Sequence, residues 1–256
     1  MTTAVIIPAR YESTRFPGKP LAKISGKPML EWVVSIAKGA KKADKVIVAT
    51  DDKRIYDFVK NQLQVGAGQD LPSKRVEVAM TLKEHKCGTD RIAEVVRHNS
   101  DIKYIVNLQG DEPLMPSEYI DKVLELLLNS KADMASLIVP ISNTDEITNP
   151  NIVKVVVDKD GFALYFSRSP IPYNREQKGN IQYFKHIGIY AYTREAILQF
   201  SLLPQSMLET TEQLEQLRAL ENGIKIKLEM VPKLFPAIDR PEDVKMVEDV
   251  LLKSTV

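Results

Sequence analysis

Residues Val5–Pro20 read VIIPARYESTRFPGKP. The first five form an apolar, β-branched-rich run of the kind that makes a strand buried on both faces. The stretch from Arg10 to Pro20 cannot be helical, because Pro17, Gly18 and Pro20 break a helix. Arg10, Arg15 and Lys19 place cations on this constrained loop. In α/β sheets, ligands bind outside the carboxyl ends of the strands, where such loops lie. The chain then repeats the pattern. Lys45–Thr50 (KVIVAT), Val76–Met80, Tyr104–Leu108 and Met134–Pro140 read as further strands. Between them apolar residues recur at helical spacing: Leu30, Val33, Val34, Ala37; Ile55, Phe58, Val59; Ile92, Val95, Val96; Ile120, Val123, Leu124, Leu127. The alternation predicts an α/β fold, a mostly parallel sheet with helices on both faces and right-handed crossovers.

The pattern changes at Asn149. IVKVVVD and ALYFS flank a turn at Asp158–Gly161 and read as a β-hairpin, with another strand at His186–Tyr192. One helix is expected over Leu208–Glu221, with Leu214, Leu217 and Leu220 apolar and Gly223 as its stop. A second is expected over Pro241–Lys253, with proline in the first turn. Gln64–Ser73 and Asn174–Asn180 read as loops. Lys plus Arg number 35 and Asp plus Glu 34, a net charge of +1, with 44% hydrophobic residues. This balance excludes a disordered chain and a nucleic-acid binder driven by bulk basic charge. Cys87 is the lone cysteine, and His85, His98 and His186 lack zinc-site spacing. No leader or membrane-spanning run is visible, and the expected location is the cytoplasm.

Three stretches carry chemistry. The Arg10, Arg15 and Lys19 loop suits a polyphosphate, although its spacing is neither a Walker motif nor GxGxxG; a solvated basic loop is the alternative. Asn107–Pro113 (NLQGDEP) ends a buried strand in two acids, and Asp111 on the same sheet edge could hold Mg²⁺ beside phosphates; an ordinary acidic turn is the alternative. Asp239, just before a proline-initiated helix, reads on its own as an N-cap first and as a second Mg²⁺ carboxylate second. A histidine such as His186 on a strand is ordinarily a structural hydrogen bonder. Glu215 and Gln216 would ordinarily be helix surface.

Together, the cationic loop, NLQGDEPL, Gly88-Thr89-Asp90-Arg91, NPNIVKVVVDKDGFALYFSRSPIPY, HIGIYAY, LEQLRALE and the closing DRPED resemble the 3-deoxy-manno-octulosonate (Kdo) cytidylyltransferases over nearly the whole chain. The resemblance implies a nucleotide-diphospho-sugar transferase, Rossmann-like fold with a smaller β-rich sugar-binding and dimerisation elaboration. It implies one domain over 1–256, with a nucleotide-binding half (1–140) and a sugar-binding half (141–256). It further implies an Mg²⁺-dependent homodimer that joins CTP to Kdo for lipopolysaccharide synthesis, with no nucleic-acid or membrane partner. Carried over residue by residue, Pro8, Ala9, Arg10, Arg15, Lys19, Gly88, Thr89, Arg91 and Gln109 would meet the nucleotide. Arg10, Lys19, Asp111 and Asp239 would be catalytic, the two acids holding Mg²⁺. Arg168, His186, Tyr190, Glu215 and Gln216 would meet the sugar acid. Rival readings are a cytidylyltransferase for 8-amino-Kdo or a sialic acid, a silent nucleotide-binding module, and a glycosyltransferase. Cys87, Arg240 and Glu12 depart from the usual Ser, Thr and small residue; Gln64–Ser73 looks longer than usual.

Overall fold

The computed structural model describes residues 1–64, 74–176 and 181–254. Most of the expected Gln64–Ser73 loop, and 177–180 of the other, lie outside the described residues. The chain divides into two compact units, Met1–Lys122 with Phe235–Val256, and Val123–Leu234. The boundaries therefore fall at 122 and 234, whereas the resemblance implies one domain whose halves meet at 140.

The first unit runs through β1 (Thr2–Ala9), a short hairpin of β2 (Lys23–Ile24) and β3 (Lys27–Pro28), α1 (Met29–Gly39), β4 (Lys45–Thr50), α2 (Lys53–Phe58), β5 (Val76–Met80), α3 (Gly88–His98), β6 (Ile102–Asn107) and the start of α4 (Ser117–Asn129). Apart from that hairpin, its strands lie in the order β6-β1-β4-β5, all parallel. Val5, Ile6 and Ile7 are fully buried, as the apolar run requires. Ala9 pairs with Thr50 and Thr50 with Met80, so these strands end together. Pro8 sits in the central strand without breaking it. The Ile6 carbonyl accepts from Leu108 on the β6 side, and Pro8, two residues on, turns its nitrogen the same way. Pairing with β6 stops at Ile6–Asn107, so no ladder bond is lost.

The second unit contains β7 (Met134–Pro140), α5 (Asp145–Thr148), β8 (Lys154–Val157), β9 (Ala163–Ser167), β10 (Phe184–Thr193), α6 (Arg194–Phe200), α7 (Met207–Glu212), α8 (Gln216–Glu221) and β11 (Ile226–Met230). Strand β7 pairs parallel with β11 and antiparallel with β10; β8 and β9 form the expected hairpin and β8 also pairs with β10. The single helix expected over Leu208–Glu221 is two. Gln213 adopts φ 54°, ψ 48°, and the left-handed residue ends α7. A capping box of Ser206 and Glu209 opens α7. The break folds α8 back so that Arg218 meets Glu209 through two bonds of 2.8 and 2.5 Å, both side chains buried. The chain then returns to the first unit through α9 (Asp243–Ser254). It starts after Pro241, because the Asp243 carboxylate takes the backbone N–H groups of Asp239 and Arg240 at 2.9 and 2.8 Å.

Candidate active site

The carboxyl edge of the first unit gathers three loops. In the first, Gly18 at φ 72° lets its N–H reach the Tyr11 carbonyl at 2.8 Å. A Cβ there would lie 3.1 Å from the Tyr11 hydroxyl. The Tyr11 ring is covered by the Arg54 guanidinium, 3.3 Å from its centroid. The second loop turns at Gly110, where any Cβ would meet the Pro8 carbonyl at 3.1 Å. The third is the returning segment before α9. Its Ile238 N–H donates to the Asp111 carbonyl at 2.9 Å. An apolar cluster of Ile24, Met29, Ile238 and Val247, with Phe16, Trp32 and Leu114 packed on it, takes a residue from each loop.

This seating brings Lys19, Asp111 and Asp239 together. The Lys19 ammonium donates to Asp111 Oδ2 at 2.7 Å and to the Ile238 carbonyl at 2.9 Å, and lies 4.0 Å from Asp239 Oδ1. Arg15 Nη1 donates to Asp239 Oδ2 at 2.9 Å, with both side chains more than half exposed. Asp239 thus points its carboxylate at cations, while its own N–H and that of Arg240 donate to Asp243. The departure at Arg240 turns toward Glu242, 3.8 Å away. Glu12 lies 3.4 Å from Lys83. Two carboxylates around one ammonium form an oxygen-rich gap that suits a divalent cation. Among the described residues no group of three or more acidic, histidine or cysteine side chains could hold a metal. Asp111 and Asp239 would therefore need phosphate and water oxygens to complete an Mg²⁺ shell.

A cleft of about 490 Å³ is lined by Pro8, Ala9, Arg10, Arg15, Lys19, Gly88, Gln109 and Asp111, among others. Two expected nucleotide contacts are not part of that grouping. Gly88–Arg91 is the first turn of α3 and not a loop turn, and Thr89 and Arg91 are buried. The Arg91 guanidinium donates to Asp51 at 2.7 Å, to the Thr81 hydroxyl and to the Leu82 carbonyl at 3.3 Å. It thereby ties the ends of β4 and β5 together. Sequence reasoning also passes over Glu112. One of its carboxyl oxygens is buried without a partner, and burial, with the neighbouring Asp111 charge, pushes it up to about 8. The NLQGDEP stretch holds that signal only as a second acid.

In the second unit, His186, Tyr190 and Tyr192 form an aromatic row on β10, with centroids 5.2 and 5.9 Å apart, and Phe166 meets His186 edge-on at 5.0 Å. Burial holds the imidazole down to about 3 and so neutral. Burial, then the nearby Tyr192 and Glu215, raises the Tyr190 phenol. Glu215 stands just before α8 and makes no side-chain capping bond to it, and Gln216, its first residue, is buried and not on the helix surface. Arg168 is not a free fork. Its guanidinium donates to the carbonyls of Glu212, Pro150 and Gln213 at 2.7, 2.9 and 3.3 Å. Beside it the buried Lys154 donates to the carbonyls of Asn149, Ile152 and Arg168.

A parallel edge that holds a cationic loop opposite paired acids defines a nucleotide-handling transferase, and a sequence profile described as Cytidylyltransferase matches residues 4–226. A 3-deoxy-manno-octulosonate cytidylyltransferase of Thermodesulfovibrio yellowstonii is 46% identical over 98% of each chain. One of Fusobacterium nucleatum is 46% identical over 98% of this chain and 97% of its own. A solved structure of CMP:2-keto-3-deoxy-manno-octonic acid synthetase complexed with CTP superposes with a TM-score of 0.89 at 38% identity, over 99% of this chain and 100% of the other. The chain belongs to the 3-deoxy-manno-octulosonate cytidylyltransferase family, and the α/β, nucleotide-diphospho-sugar transferase fold expected from its sequence is the fold it has.

Proposed function

We propose that the chain couples CTP to Kdo, giving CMP-Kdo and pyrophosphate. The observation that carries this reading is the convergence of Arg10, Arg15 and Lys19 with Asp111 and Asp239 at one strand edge, in a chain whose relatives bear that activity's name. The anomeric hydroxyl of the sugar attacks the α-phosphorus. The new O–P bond forms as the bond to the β-phosphate oxygen breaks, pyrophosphate carries the electron pair away, and the hydroxyl proton passes to solvent. The protein's part is positioning and charge neutralisation. Arg10, Arg15 and Lys19 balance the charge that grows on the departing pyrophosphate. Lys19 and Arg15 exchange their carboxylate partners for phosphate oxygens, which frees Asp111 and Asp239. These two would hold Mg²⁺, which would supply charge neutralisation at the phosphates and a lowered pKa for the attacking hydroxyl. His186, Tyr190, Glu215 and Gln216 would meet the hydroxyls of the sugar acid, and the spare N–H groups of Arg168 its carboxylate.

The same reading gives a cytoplasmic homodimer that supplies activated Kdo for lipopolysaccharide synthesis. Among the described residues no helix is long and apolar enough to cross a membrane. Pyrophosphate release with CTP, UTP, ATP or GTP tests the reading. Release is expected with CTP and Kdo together and Mg²⁺ present. Release without the sugar acid, or equal turnover of sialic acid, would overturn it. A double-mutant cycle on kcat/KM with Asp111→Asn and Asp239→Asn tests the metal pair. Each change should cut turnover by roughly a hundredfold or more, and the pair should be far from additive.

A further inference from the structure

Ser136 is fully buried on β7, opposite an irregular stretch of β10. Leu137 pairs with Ile187 and Ser136 with Tyr190. One step along β7 therefore spans three along β10, a bulge that takes up Gly188 and Ile189. Tyr190 stands where a regular strand would put residue 188, which makes it the same-face neighbour of His186 and explains their 5.2 Å ring separation. The bulge also turns two carbonyls onto one hydroxyl. Ser136 Oγ lies 3.1 Å from the Ile187 oxygen, 2.7 Å from the Ile189 oxygen and 2.8 Å from His186 Nε2.

A hydroxyl has one proton. Two carbonyl oxygens cannot crowd Oγ unless that proton points at them, so Ser136 donates to the bulge, chiefly to Ile189. Nε2 at 2.8 Å must then carry its own hydrogen and donate to Oγ. The imidazole is neutral, so its Nδ1 keeps a lone pair, and no hydrogen bond from a described residue meets it. We propose that Ser136 is a positioning residue that locks His186 as the Nε2–H tautomer, so that Nδ1 serves as an acceptor for a hydroxyl of the sugar acid. The second half rests on the reading of His186 as a sugar contact.

Nitrogen-15 NMR of the imidazole in the full-length protein tests the first half without any substitution. The expected spectrum has a protonated Nε2 and a bare Nδ1, and a proton on Nδ1 overturns the proposal outright. Ser136→Ala should mix the tautomers and raise KM for Kdo roughly three- to tenfold, the worth of a neutral hydrogen bond. The KM for CTP and kcat should stay near wild type. His186→Gln keeps a donor toward Ser136 and loses the acceptor, whereas His186→Asn keeps a polar group near the Nδ1 position. The Asn variant should bind Kdo better than the Gln variant. The expected tautomer with KM for Kdo unmoved by His186→Gln overturns the sugar-facing half while pyrophosphate release with CTP and Kdo still stands, which separates this failure from failure of the proposed reaction.

Discussion

The cations at the loop edge of the first unit and those around Arg168 and Arg218 in the second are satisfied in different ways. At the loop edge of the first, Arg15 and Lys19 meet carboxylates, and the Arg15–Asp239 pair is largely open to water. In the second, Lys154 and Arg168 are held by main-chain carbonyls, and Arg218 by a buried glutamate. A carboxylate partner in water can be exchanged for a phosphate oxygen at small cost. The carbonyls around the buried Lys154 and the dry Arg218–Glu209 pair have no such substitute, and Arg168 keeps only its spare N–H groups for a ligand. Position on the chain says little about whether an arginine or lysine faces a ligand; the nature and wetness of its present partner says much more.

The contrast can be broken most easily at Arg218. Arg218→Ala leaves Glu209 charged and dry, and should cost about 3–5 kcal/mol in denaturant unfolding. A loss under about 1 kcal/mol would mean the second unit's ions are no more structural than the first's. Lys19→Ala should do the reverse. It should lower kcat/KM for CTP by the equivalent of about 1.5–3 kcal/mol, roughly tenfold to over a hundredfold, with unfolding midpoints close to wild type. If stability falls as far as activity, the loop cations are girders too. Arg168→Lys sharpens the comparison, because a compact ammonium lacks the width of the guanidinium fork that reaches the Glu212, Pro150 and Gln213 carbonyls from three different nitrogens. It should destabilise the fold by about 1–2 kcal/mol, read by thermal melting, with CTP binding by calorimetry unchanged. The smallest effect is in pH. His186 titrates near 3 in the fold and near 6.5 when unfolded. Between those values the unfolded chain binds the extra proton, so stability is full above about 6.5 and is lost as pH falls. From about pH 6.5 to about 5, wild type should lose up to about 1.4 kcal/mol per pH unit more than His186→Gln.

The strands of the first unit are legible because burial on both faces demands unbroken apolar runs such as VIIPA and KVIVAT. The cationic loop is legible because proline and glycine announce its geometry. Other features depend on distant partners. The leucine stripe runs straight through Gln213, a residue type that rarely turns left-handed, so the break between α7 and α8 shows only through the Glu209–Arg218 bond it allows. Strand β11 (IKLEM) does alternate apolar and polar residues, the half-buried pattern, but so short a stretch is easily passed over; its parallel pairing with β7 makes it plain. Arg91 sits in a motif that reads as ligand-facing, yet Asp51, forty positions earlier, claims it. Asp239 reads as a cap until its carboxylate is seen to take Arg15 and to lie beside Lys19.

The first unit is assembled from two separated stretches of chain, and this sets a schedule during synthesis. Val5–Ala9 and the loop after it leave the ribosome early, as domains generally begin to fold from the N-terminal side. The apolar seat for Phe16, however, needs Ile238 and Val247, and the carbonyl that orients Lys19 belongs to Ile238. Until the segment from Phe235 onward has been translated, the cationic loop has only part of its seat and only Asp111 of its two acidic partners. The nascent chain therefore carries its strands and its cations well before it carries a site that can act on CTP.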